Sequence, residues 1–144
     1  MTESLERFVQ AQASSYERAL RELERGRKES HWIWFIFPQL RGLGSSENAT
    51  FYGLRDIEEA RDYLRHPLLG PRLERATLAV LDSKTPIENL LGSLDAMKFA
   101  SCMTLFSAAA GESSLYARAL EGRVSADSRT LGILEQQKKK TPDR

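Results

Sequence analysis

The sequence predicts an all-α fold, a compact single domain of six to eight helices around a central apolar helix. Three observations carry this. Apolar residues recur at three- and four-residue steps along most of the chain, successive segments open on helix-capping residues, and the run 94–110 is apolar nearly all round. A chain of 144 residues fits one domain, and area scaling implies that ~16,000 Å² of unfolded-chain surface disappears on folding.

The first helix is expected from Leu5 to Leu23, where Phe8, Val9, Tyr16, Ala19 and Leu20 continue one apolar stripe, with Gly26 as a left-handed cap. Next comes the most apolar window, 31–38, holding both tryptophans. Its residues would suit a strand, but a lone strand could not close its hydrogen bonds, so a short buried helix capped by Ser30 and ended by Pro38 is expected. Residues 39–46, with two glycines and two serines, read as an ordered surface loop.

Later helices announce their starts. Asp56-Ile57-Glu58-Glu59 resembles a capping box. Pro67 suits the first position of a helix running on through Leu73, Ala76, Thr77, Val80 and Leu81, although Gly70-Pro71 can break or restart its first turn. Thr85-Pro86-Ile87-Glu88 joins a cap, a first-position proline and a glutamate, and Gly92 closes that short helix. The central helix spans Leu94 to Ala110 and stops at Gly111; short helices follow at about 115–121 and, behind Asp127, 128–136. Residues 1–137 form the expected domain, and 138–144 a disordered basic tail.

Charge and composition mainly exclude. Lys plus Arg number 21 against 20 Asp plus Glu, so the net charge of +1 predicts no broad nucleic-acid surface. With one cysteine and two histidines, no disulfide framework and no structural metal site are expected, and no cofactor is implied. No membrane span or signal peptide is recognisable, which makes a cytoplasmic protein the expectation. Gly42-Leu43-Gly44 completes neither a dinucleotide fingerprint nor a P-loop.

The chemistry-bearing residues fall into two groups. Asp95, Lys98 and Cys102 lie within about 60° of one another on one helix face, either as an ion pair at the core edge or as a grip on a polar ligand. His31, Trp32, Trp34 and Gln39 are either core residues or a wall on which a base or ribose stacks, with His31 and Gln39 at its polar rim. Cys102 reads as a small buried hydrophobe, and His66 as structural.

Several segments together carry a family resemblance: Ser30 to Gln39, Gly42-Leu43-Gly44, Tyr63 to Leu73, and Lys98 to Phe106. Over about Leu5 to Leu134 the chain resembles the bacterial family catalogued as domain of unknown function 1810, which implies a mainly α-helical single domain and names no activity. Glu6-Arg7-Phe8-Val9-Gln10-Ala11-Gln12, and Asp127 followed by Leu131-Gly132-Ile133-Leu134, are similar to segments of the NADAR family, whose members act on N-glycosidic bonds. The Trp-Gly pair and glycine-rich insert of that family are absent between Asp127 and Leu131.

That second resemblance implies Glu6 and Asp127 as the catalytic carboxylates, one stabilising an oxocarbenium-like sugar while the other activates water. Read locally, Glu6 complements a helix dipole and Asp127 caps a helix. The leading expectation is binding of a nucleotide-sugar or ADP-ribose-like ligand with hydrolysis of an N-glycosidic bond. The alternative is a non-enzymatic helical module that binds a protein partner and lacks a deep pocket.

Overall fold

The structure, a computed structural model, describes residues 5–140, and ten helices follow one another among them. They are α1 (Glu6–Ala13), α2 (Tyr16–Arg25), α3 (Ile33–Ile36), α4 (Glu47–Phe51), α5 (Ile57–Arg65), α6 (Leu69–Asp82), α7 (Ile87–Leu91), α8 (Ser93–Ala110), α9 (Leu115–Ala119) and α10 (Ser128–Lys140). The all-α class stands, with more and shorter helices than the six to eight expected. Thr141 to Arg144, part of the expected tail, lie outside the described residues, while α10 continues through Lys138 and Lys139 to Lys140.

The first expected helix is two. Ser14 and Ser15 form the break, where hydroxyl side chains compete with helical backbone bonding, and the Ser15 amide turns back to the Gln12 carbonyl at 3.2 Å. Gly26 then caps α2 in the left-handed conformation, at φ 88°.

The aromatic window does form a short helix, α3, but Ser30 does not cap it. Its hydroxyl donates instead to the buried Glu22 carboxylate at 2.6 Å, a charge-assisted bond stronger than a cap. The unexpected α4 starts at Ser46, whose hydroxyl accepts the Ala49 amide at 3.1 Å.

Asp56 caps α5 as read, accepting the Glu59 amide at 2.9 Å, while Glu59 accepts the Arg55 amide at 2.7 Å. α6 starts two residues after Pro67, and the His66 imidazole satisfies the amides ahead of it, Nδ1 accepting those of Leu68 and Leu69 at 3.1 and 3.2 Å. In α7, Pro86 is the flanking residue rather than the first helical one, and Thr85 makes no cap bond.

α8 is the hub, packed against α3, α5, α7, α9 and α10. Phe99 meets Phe37 edge-on at 4.9 Å, and Phe106 meets Tyr63 at 5.5 Å, tying helix and aromatic window into one buried cluster. Its apolar character does not mean burial throughout: Leu94 and Met97, in its first turns, are 72% and 67% exposed. They border the cleft described next.

The only β feature among the described residues is a parallel bridge between Leu40 and Leu54. It closes the excursion 41–53 at its base, with Arg41 N–H to Leu54 O at 2.7 Å and Leu54 N–H to Gln39 O at 2.8 Å. Among the described residues, no helix is long and apolar enough to cross a membrane.

Candidate functional site

Three segments distant in sequence enclose a cleft of about 340 Å³. One wall is the bridged excursion, with Gln39 at its root, Asn48 on α4 and Tyr52 directly after it. The opposite wall is the start of α8, with Leu94, Met97 and Lys98; α10 closes the end with Asp127 and Arg129; Trp34 of α3 also lines it.

The excursion wall is held from behind by Arg7. Its Nε donates to Phe51 O at 2.6 Å and one terminal nitrogen to Gly53 O at 2.9 Å, while the buried Glu59 carboxylate lies 3.5 Å from its guanidinium. Arg41 adds a second donor to Gly53 O at 3.1 Å. The fork geometry of arginine lets one buried side chain fix two carbonyls together. Arg129 does the same for the other side, donating to Leu43 O at 2.7 Å.

Electrostatics are built around Lys98. Its ammonium sits 4.7 Å from the Trp34 ring centroid and 3.5 Å from Asp95. Asp95 is engaged more closely by Lys28, at 2.7 Å, so Lys98 shares its counter-ion and keeps donors for a ligand in the cleft. Asp95 thus acts behind Lys98 and does not line the cleft.

Asp127 is fixed from both sides. Its amide donates to Thr104 Oγ1 at 2.8 Å, mooring the start of α10 on α8, and its Oδ2 accepts the Thr130 amide at 2.9 Å and hydroxyl at 2.5 Å. It is therefore the helix cap read from sequence and a cleft residue as well, with Oδ1 carrying no hydrogen bond among the described residues.

The structure brings Trp34, Gln39, Lys98 and Asp127 together and leaves Glu6, His31, Trp32 and Asp95 off the lining. Glu6 is exposed in the first turn of α1, and His31 is exposed beside α3. Trp32 is a core residue, its indole donating to Glu22 at 2.9 Å. Cys102 is buried, and burial pushes its thiol well up, away from nucleophilic chemistry. No group of three or more metal-type ligands occurs among the described residues.

Asn48, Tyr52 and Arg129 were not foreseen. The Ser46 cap was their one local signal, since it sets Asn48 and Tyr52 four apart across a helix not expected there.

Fold and site define an all-α domain with a polar, aromatic cleft at one end of its central helix. The sequence model of the family described as protein of unknown function (DUF1810) matches residues 2–134, and the chain belongs to that family. It is similar to the conserved hypothetical protein Rv1873 from Mycobacterium tuberculosis, known from a crystal structure at 1.38 Å, with 45% identity and a TM-score of 0.88 over 91% of this chain and 96% of that one. No curated protein matches.

Proposed function

We propose that the cleft binds a nucleotide-like ligand, a nucleotide sugar or a molecule resembling ADP-ribose. The observation that carries this is the pairing of Lys98 with Trp34 at 4.7 Å inside a cleft of about 340 Å³. An ammonium and an aromatic wall side by side suit a phosphate attached to a planar or ribosyl group. Tyr52 adds a second aromatic surface, while Gln39 and Asn48 add amides able to recognise base or sugar edges.

Hydrolysis of an N-glycosidic bond is the second reading, and Asp127 favours it. Its Oδ1 accepts no hydrogen bond among the described residues, leaving it able to activate water or stabilise an oxocarbenium-like sugar. Glu6 does not line the cleft, so the reading rests on one of the two carboxylates suggested by the NADAR-like segments. A helical interaction module, the competing class, would be disfavoured by a cavity lined by Trp32, Gln39 and Asp95; of these only Gln39 lines the cleft, so the module stays as the alternative.

The test is thermal shift and calorimetry with a panel of nucleoside monophosphates, nucleotide sugars and ADP-ribose. A ligand at 100 times its Kd raises stability by ~2.7 kcal/mol. Trp34→Ala and Lys98→Ala should each abolish that shift. Failure of every panel member to bind overturns the reading. For hydrolysis, Asp127→Asn should remove product formation and Glu6→Gln should not; equal turnover by wild type and Asp127→Asn ends the role of Asp127.

A further inference from the structure

Resting on the nucleotide reading above, we infer that the cleft continues past Asp127 into a second chamber that takes the sugar half of a two-part ligand. An open groove of about 390 Å³, lined mostly by exposed side chains, lies between α7, the start of α8 and the segment before α10. It shares Met97 and Asp127 with the first chamber, so these two residues form the partition between them.

The chambers differ in the groups they offer. The first has two cations besides Asp127: Lys98, which shares Asp95 with Lys28, and Arg129, which gives one terminal nitrogen to Leu43 O and whose other guanidinium nitrogens make no bond among the described residues. The second has the carboxylates of Glu88 and Asp127 and the hydroxyls of Ser93 and Ser125. Its cation, Arg123, is already bonded to the last turn of α6, through Leu81 O at 2.5 Å and Val80 O at 3.4 Å. Donors in the first chamber match a phosphate, whereas acceptors in the second match the hydroxyls of a sugar.

Size points the same way. Ligand pockets span roughly 300–1,000 Å³, and either chamber alone lies near the lower end. Joined, the two fall well inside that range, as a two-part ligand requires. Asp127 then sits at the junction, with Oδ2 tied to Thr130 and Oδ1 accepting no hydrogen bond among the described residues, available to the part of the ligand that crosses the partition.

The experiment compares AMP with ADP-ribose, and UMP with UDP-glucose, by calorimetry on the full chain. In at least one pair the sugar-bearing member should bind tenfold or more tightly than its monophosphate. Ser93→Trp, which fills the second chamber at an exposed position, should remove that advantage while changing monophosphate affinity less than twofold. Glu88→Gln, which alters charge without bulk, should reduce it at least threefold.

Monophosphate binding with no sugar advantage, or an advantage untouched in both folded variants, overturns the second chamber and leaves the nucleotide reading intact. Absence of binding by all four probes overturns both. Native thermal unfolding of each variant separates a filled chamber from a lost fold.

Discussion

The indole of Trp32 donates to the carboxylate of Glu22 at 2.9 Å, and both side chains are buried. The same carboxylate accepts the amides of Glu29 and Ser30 at 2.8 and 3.0 Å and the Ser30 hydroxyl at 2.6 Å. One acid thereby folds the turn after α2 back under the aromatic window. Burial alone would push this carboxyl up; the bonds from Ser30, Glu29 and Trp32 outweigh it and hold it at about 2, against an ordinary 4.5.

A depressed carboxyl stabilises the fold fully above its ordinary value and loses that contribution as pH falls from about 4.5 toward about 2. Glu22→Gln should cost about 2–3 kcal/mol at pH 7, because buried donors lose a charged acceptor. The cost should shrink at pH 3. Urea unfolding at both values checks this, and an equal cost at both would remove the carboxylate from the account.

Arg7→Met should destabilise the protein by about 2–4 kcal/mol, since it strips two carbonyls of a donor and leaves Glu59 without its closest guanidinium. A double-mutant cycle with Glu59→Gln should give a coupling above about 0.5 kcal/mol. Additive losses would show that the two act independently.

Gly53→Ala tests the same wall by steric means. A Cβ there would lie 2.7 Å from the Ala49 carbonyl oxygen and 2.7 Å from the Arg41 Cα, both backbone atoms that cannot swing aside. The expected loss is about 1–3 kcal/mol, with weaker ligand binding in the calorimetric panel. Unchanged stability would mean that the excursion 41–53 shifts freely.

Cys102 offers an internal probe of opening. Its thiol is fully buried and pushed well up, so maleimide labelling in native buffer should be at least ~10³-fold slower than in urea. Labelling by mass spectrometry measures both rates. Comparable rates would show that α8 is accessible in the native state.

The sequence showed most clearly what is local. Asp56 and Asp127 announce helices because a cap bonds to an amide three residues on, and Gly26 and Gly111 end helices through their own backbone freedom. His66 and Ser30 eluded the same reasoning. One bonds the amides ahead of a helix with an imidazole, and the other is drawn away by a carboxylate eight residues earlier. Nothing local to Glu22 marks it for burial, since its partners Glu29, Ser30 and Trp32 lie seven to ten residues on.

The site was legible in type more than in membership. Trp32 and Trp34 are indistinguishable by composition, yet one faces the core and the other the cleft, because Trp32 flanks α3 with a non-helical backbone while Trp34 lies within the helix. Lys98 and Asp95 were rightly read as neighbours, but only the position of Lys28 shows which of them is left facing outward. Likewise, the pairing of Glu6 with Asp127 required a spatial relation that no local pattern encodes.

Arg7 reaches across 44 and 46 residues of chain to grip Phe51 and Gly53. The cleft wall therefore cannot be completed by its own segment, since a long loop must close before the grip is made. Loop closure on this scale predicts that the pocket assembles late in folding, so that recovery of ligand binding should lag behind recovery of helical signal.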